Sequence, residues 1–490
     1  MTHPETVLND LDNAIQTALQ TSSFATPRLP CSPRIPFRPP ICRPPVSTQT
    51  TNQIFGKPPI HGSPMPVPLT VPGNIKASEG KTFMAPPKLR NRKVSRQDVI
   101  KALMFMEGGS LQKELNSLGL DISAPGMIYR RKQISPALFD DILTAFNATA
   151  PAPETFYGWR VVAVDGTAVN ICYNKNSPCL VRHASAPDGY CQIHATPLYD
   201  VLNKQYLSCV LQPQPKQDEI GALDFMLTWY DFDETMLIVA DRAFSSYNLF
   251  ATLQEAGVDF LIRIKNQRGA MREVAKLAME EIDTEISFTI TTENTKEARE
   301  KGWIWVQTRK NENRTYSEKT RAGRWDHPSP YPMKLRIVRL LLESGEYENL
   351  ATSLPPSVTP AQIKELYHAR RGIEQAFAEL KYTFGLDYMH GKSWEFACQE
   401  IMANIIAANV CSRILKEVAI KQNPENKYGV AINRKMAVNL IKKFLRTPGA
   451  DGDQLMRDIA RYTVPIRPGR KDERKLKPKT FRQFVFRVPA

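Results

Sequence analysis

Long apolar runs are missing from this sequence. No uninterrupted stretch approaches the roughly 18 residues needed to cross a bilayer, and the best one, Ile401 to Val410, is broken by Asn404 and Asn409; no membrane partner is expected. A basic segment leading into an apolar core is also missing at the start, where Met1 to Asn13 carries Glu5, Asp10 and Asp12, so no secretory signal is read. Cysteine is scarce and unpatterned, eight in 490 residues, which predicts free thiols in a reducing, cytoplasmic compartment rather than a disulfide framework. The one stretch with both Cys and His, Cys172, Cys179, His183, Cys191 and His194, lacks the paired-ligand spacing of a zinc site. No Walker A sequence is present, so ATP-driven work by this chain is not supported.

Acidic charge is in deficit: 50 Asp and Glu stand against 65 Lys and Arg, leaving +15. Such a surplus favours a polyanionic partner, nucleic acid above all, because each cation placed on a phosphate releases condensed counterions. The length predicts two to four domains, and 42% apolar with 23% charged residues excludes wholesale disorder.

About 16 of the 38 prolines fall between Pro27 and Pro87, interspersed with Arg28, Arg34, Arg38 and Arg43. Residues 1–90 therefore read as a disordered, Pro-rich basic region, dispensable for core stability, with one short amphipathic helix expected from Val7 to Leu19. Residues 91–150 read as a small helical domain: Val99 to Met106 and Leu111 to Leu118 show helical spacing around a Gly108-Gly109 break. Its flanking Lys88, Arg90, Arg92, Lys93, Arg96, Arg130, Arg131 and Lys132 suit either a helix-turn-helix-like DNA-binding module or the solvated face of an ordinary bundle. From Arg160 the pattern turns to strands and then alternates with helices, an α/β sheet layer over 151–266. Residues 267–350 are strand-rich and read as an inserted β domain; 351–390 carry a long helix from Pro360 to about Phe384; 391–490 are helical, ending in a basic tail, Arg467 to Lys479.

Aspartate inside a strand is unfavourable and costly to bury without a partner, and two such residues stand out. Asp165 follows Val161-Val-Ala-Val, and Asp241 closes the wholly apolar Met236-Leu-Ile-Val-Ala. Adjacent strands would bring both carboxylates to one sheet end, where ligands gather, and a hard cation such as Mg²⁺ would relieve their repulsion. Taken alone, a strand-end Asp before Gly or Arg is more often a turn or ion-pair residue. On the long helix, Tyr367, Arg370, Glu374 and Lys381 share one face at 100° per residue. That face is also readable as a solvated stripe with an Arg370–Glu374 pair worth about 0.2–0.5 kcal/mol.

Taken together, Asp165-Gly-Thr, Ala240-Asp-Arg and Tyr367-x2-Arg-x3-Glu-x6-Lys resemble the signature of bacterial DDE transposases of the IS-four insertion-sequence family. Gly109-Ser-Leu-Gln-Lys-Glu-Leu, Tyr199-Asp-Val, Phe260-Leu-Ile-Arg-Ile-Lys, Asn349-Leu-Ala-Thr-Ser-Leu-Pro and Pro465-Ile-Arg-Pro-Gly-Arg-Lys are similar to stretches of the same family, covering about residues 90–490. One departure is Arg371, where the family commonly has an aromatic. The resemblance implies a ribonuclease H-like catalytic core interrupted by the β-rich insertion, and a site in which Asp165, Asp241 and Glu374 hold two Mg²⁺ ions, with Mn²⁺ as substitute. It implies that Tyr367, Arg370 and Lys381 contact DNA and that a Trp of the insertion, Trp303 or Trp305, stacks a flipped base. It further implies double-stranded transposon ends and target DNA as partners, a homodimer cutting in trans, nicking followed by strand transfer, often through a hairpin, and a bacterial, nucleoid-associated setting. Two other readings remain: a domesticated or decayed DNA-binding protein, and a nuclease that cuts without joining.

Overall fold

The computed structural model describes residues 3–21, 94–184, 186–265, 271–306, 325–447 and 449–467. The Pro-rich stretch from 22 to 93 and the basic tail from 468 onward lie outside the described residues.

Eleven strands make one sheet in the described chain. They are β1 (Arg160–Val164), β2 (Thr167–Ile171), β3 (Leu180–His183), β4 (Ala186–Asp200), β5 (Gln205–Pro213), β6 (Met236–Ala240), β7 (Asp259–Ile264), β8 (Ile282–Thr291), β9 (Ile304–Trp305), β10 (Tyr331–Leu341) and β11 (Tyr347–Thr352). Their order is β2-β4-β1-β6-β7-β11-β10-β8-β9, with β3 and β5 paired to β4. At its centre β1, β6 and β7 run parallel, Val164 opposite Ala240 and Ala240 opposite Ile262. Every residue of β6 is buried, as a parallel strand covered on both faces must be.

Side-chain alternation sends β1, β6 and β7 into two cores. Val162, Val164, Ile238, Ala240, Phe260 and Ile262 pack with Leu223, Met226, Leu249 and Phe250 from α6 (Glu219–Trp229) and α7 (Tyr247–Ala256). Val161, Leu237, Val239 and Leu261 pack with Ile363, Leu366 and Tyr367 of a helix starting at Pro360.

Strands β8, β9 and β10 do not build a separate sheet. They continue the central one, because β11 pairs antiparallel with β7 on one side and with β10 on the other. The expected inserted β domain over 267–350 is thus, among the described residues, an extension of the central sheet. The strand-rich pattern marked the strands correctly, but pairing partners nearly a hundred residues apart leave no local signal.

The helical parts also merge. Counting from the start, α1 (Pro4–Thr21), α2 (Arg96–Phe105), α3 (Leu111–Ser117), α4 (Ala124–Arg131) and α5 (Ala137–Ala148) precede the sheet. After α6 and α7 come the short α8 (Arg272–Ala275) and α9 (Lys296–Glu300), then α10 (Pro360–Ala369), α11 (Arg371–Tyr382), α12 (Trp394–Lys416), α13 (Arg434–Arg446) and α14 (Gly452–Arg461). Helix α12 is buried from Ala397 to Leu415 and shares one apolar core with residues of α1, α2, α5 and α13. The boundary drawn at residue 90 therefore needs correction. Val7, Leu11, Ala14, Ile15 and Ala18 of α1 are buried, so residues 4–21 belong to the folded unit. Helices of 91–150 and 391–490, expected as separate regions, form one bundle.

Buried polar groups in α12 fix that bundle in register. Arg131, expected on a basic surface, is 1% exposed; its Nη1 donates to Glu400 Oε1 at 2.7 Å and its Nε to Gln399 Oε1 at 3.0 Å. It is therefore removed from the cations available to phosphate, because burial leaves the charge needing a carboxylate. Asn409 Oδ1 accepts from Tyr206 N at 2.7 Å and Asn409 Nδ2 donates to Tyr206 O at 2.8 Å, so a side-chain amide caps the outer edge of β5 as a strand would. No helix among the described residues is long and apolar enough to cross a membrane.

Candidate active site

Strand pairing sets the first two carboxylates. Asp165 and Asp241 each stand one residue beyond the paired Val164 and Ala240, at the carboxyl ends of neighbouring parallel strands. Asp165 Oδ1 accepts from Gly166 N at 2.9 Å, and Asp241 Oδ1 accepts from Ala243 N at 2.7 Å in a local turn. The Asp165 carboxyl is pushed above its ordinary value, first by burial and further by the charges of Asp241 and Glu219, against the opposing Gly166 N–H and Arg370. A half-buried acid held up by like charges at a strand end is a mark of functional sites.

Helices α10 and α11 bring the rest. Thr359 and Gln362 form a capping box with Pro360 in the first turn, which is why the helix begins where the sequence predicts. It does not run unbroken to Phe384: the chain changes helix at Arg370, where the bonds tighten to Arg370 N–Tyr367 O and Ile373 N–Arg370 O, both 3.1 Å. Nothing in the local sequence announces that break. A methyl group at Gly372 would strike Val201 Cγ1, so glycine lets α11 sit close against the β4–β5 turn.

The break still leaves the expected residues together. Arg370 Nη1 donates to Asp165 Oδ2 at 3.2 Å and Nη2 to Glu374 Oε1 at 2.8 Å, with Arg370 14% and Glu374 53% exposed. Lys381 Nζ donates to Thr167 Oγ1 at 2.6 Å, fixing it beside the Asp-Gly-Thr motif. Tyr367 is buried under the site; burial pushes its phenol up, and Asp241 adds to that. Arg371 is exposed, so no aromatic packing is lost there.

Trp303 and Trp305 are not brought to this site. Strand β9 lies five strand positions from β6, about 24 Å at roughly 4.8 Å per strand, and pairs with Ile290 and Thr291 at the end of β8 where Tyr331 begins β10. Trp305 is exposed on that edge, and Lys301 Nζ lies 5.0 Å from the ring centroid of Trp303. Of the cysteines and histidines weighed for zinc, Cys179 and Cys191 are buried in the apolar core that the helices share with β2, β4 and β5, while His194 lies under Gly166. Sequence reasoning missed Glu219, which reads as an ordinary acid in the first turn of α6.

Hard oxygen donors suit a divalent cation, and the Asp165–Asp241 pair fits one. The third acid fits by chemistry but points to Arg370, whose guanidinium supplies the positive charge between Asp165 and Glu374. No three His, Cys, Asp or Glu side chains among the described residues are gathered closely enough to hold a metal ion, and Glu374 is engaged by Arg370 instead.

Compared with known proteins, residues 157–410, just over half of the chain, match the family described as Transposase DDE domain. A solved structure, a piggyBac transposase synaptic complex with hairpin DNA, is similar over 77% of this chain and 78% of that chain, at 12% identity and a TM-score of 0.37. No curated protein matches the chain.

Proposed function

The chain belongs to the transposase DDE-domain family, and from that premise we propose that it cleaves DNA at the ends of a mobile element and joins them to target DNA, as its resemblance to the IS-four insertion-sequence group implies. The observation that carries this reading is the meeting of Asp165 and Asp241 after β1 and β6 with Arg370 at the α10–α11 junction and Glu374 and Lys381 of α11. We assign Asp165, Asp241 and Glu374 as the catalytic carboxylates that hold divalent magnesium, in a core read as ribonuclease H-like. When bound, such ions activate a water or a 3′-hydroxyl and stabilise the leaving oxygen of an in-line displacement.

Arg370 has two duties. It holds Glu374 beside Asp165 in the protein alone, and its fork geometry suits a DNA phosphate once Glu374 turns inward. Lys381, anchored on Thr167, offers a point charge to the same phosphate. Tyr367 supports Arg370 from the core below. Cutting and joining then use one site, with double-stranded DNA as partner and two copies of the chain bridging two ends. The basic helices and tail supply affinity that does not depend on the carboxylates. Trp303 and Trp305 are left out of the cleavage centre.

The test uses a plasmid carrying the DNA that flanks the chain's own coding sequence, with a labelled target and Mg²⁺. Asp165→Asn, Asp241→Asn and Glu374→Gln are each expected to abolish cleavage and joining while DNA affinity stays within a few fold. Cutting without joined products would support a nuclease instead, and binding without cutting would support a DNA-binding relic.

A further inference from the structure

We propose that Glu219, braced by His194, positions the Asp165 carboxylate for cleavage, an inference that rests on the function proposed above. Neither residue belongs to the Asp-Gly-Thr, Ala-Asp-Arg or Tyr-Arg-Glu-Lys motifs. His194 lies on β4 opposite Ala168 of β2, and Glu219 opens α6. His194 Nε2 is 3.0 Å from Glu219 Oε1, with side chains 5% and 18% exposed. The contact is close in distance without good hydrogen-bond alignment, and His194 Nδ1 is buried with no hydrogen-bond partner among the described residues.

This pair forms a wall behind the Asp165–Gly166 peptide. A Cβ at Gly166 would run into Glu219 Oε1 and into His194 Nε2 and Cε1. Gly166 is not among the glycines with positive φ, so close approach, not backbone conformation, is what demands glycine in the Asp-Gly-Thr motif. The same peptide aims the acid, because Gly166 N–H donates to Asp165 Oδ1 at 2.9 Å. Moving the wall moves the peptide, and moving the peptide turns the carboxylate. Two aliphatic side chains would fill the space with no polar atom to satisfy. A carboxylate and an imidazole instead put a negative charge besides that of Asp241 within electrostatic reach of Asp165 and hold it in place.

Displacing a reacting group by about 1 Å can cost roughly a hundredfold in rate. The full-length chain carrying Glu219→Gln is therefore expected to cleave the flanking-DNA plasmid at least tenfold more slowly at saturating DNA, with DNA affinity within twofold of the parent. Glu219→Asp should recover part of that loss, and His194→Asn should resemble Glu219→Gln. Calorimetric titration of Mn²⁺ into the protein–DNA complex should show weaker binding in Glu219→Gln, a readout independent of turnover. If Glu219→Gln fails to fold, Gly166→Ala pushes the wall from the other side and should slow cleavage at least tenfold with unchanged affinity. A parental rate and parental Mn²⁺ affinity in Glu219→Gln, or a parental rate in Gly166→Ala, overturns the proposal. The two levels of inference fail separately: an active Asp165→Asn sinks the site itself, whereas an inactive Asp165→Asn beside a fully active Glu219→Gln sinks only the positioning role.

Discussion

Arg370 is the residue on which the site turns, because it bonds Asp165 and Glu374 at once. Arg370→Ala is expected to slow cleavage at saturating DNA by roughly a hundredfold through loss of placement, and Arg370→Lys to restore little, since an ammonium cannot reproduce the fork. Single-turnover cleavage checks this; a parental rate in Arg370→Ala would return the Arg370–Glu374 contact to an ordinary surface pair. A second residue carries a pH signature. Burial, with Asp141 adding, pushes Asp140 up to about 7. Between its ordinary value and pH 7 the folded chain therefore binds more protons than the unfolded one, and Asp140 costs stability as pH rises through that window. Asp140→Asn should raise the urea midpoint at pH 8 relative to the parent and leave it little changed at pH 4. At this scale the sequence was informative where chemistry contradicts local preference: aspartate ending an apolar strand. It was silent on Glu219 and weighed His194 only for zinc, because what sets the pair apart is their contact with each other and with Gly166, which is not local in sequence.

Helices α10 and α11 show where elements escape the sequence. The start at Pro360 was legible from Thr359, Pro360 and Gln362, because caps are local. The break at Arg370 was not; two residues on, Gly372 fits closely against Val201, a contact made across the fold and invisible in the local sequence. Gly372→Ala should lower both stability and cleavage by pushing α11 from the sheet, with a cost of about 1–3 kcal/mol for overpacking, and Val201→Ala in the same chain should restore part of each. A double-mutant cycle on unfolding free energy and cleavage rate tests this; additive losses would separate the two residues. In α12, Glu400 accepts from Arg131 Nη1 at 2.7 Å and from His390 N at 2.6 Å. Burial raises its pKa, but Arg131 and His390 outweigh that and bring it down to about 2. Its stabilisation is thus complete above the ordinary carboxylate range and lost as pH falls toward 2. Glu400→Gln leaves Arg131 buried without its counter-charge and should cost about 3–5 kcal/mol near neutral pH, measured by denaturant unfolding.

For the whole molecule, the sequence pattern showed where strands and helices fall but not which of them pack together. Amphipathic spacing in Val7 to Leu19 showed that α1 must bury a face; it could not show that α5 and α12 receive it. Leu11 is fully buried there, so Leu11→Ala should destabilise the folded unit by about 2–5 kcal/mol, whereas a detached N-terminal region would show no change in the unfolding midpoint.

That docking also has a consequence in time. The seat of α1 includes α12, and about 370 residues separate Thr21 from Trp394, which at roughly 5–20 residues per second is on the order of 20–75 s of synthesis. Throughout that interval the apolar faces of α1, α2 and α5 leave the ribosome without the helix that covers them. Helix α1 can rest on α5 early, but its seat is complete only with α12, and a chain cut short before Trp394 keeps part of those faces in water. Synthesis past α12 thus acts as a checkpoint: only a chain that has passed Lys416 can close the bundle around that helix.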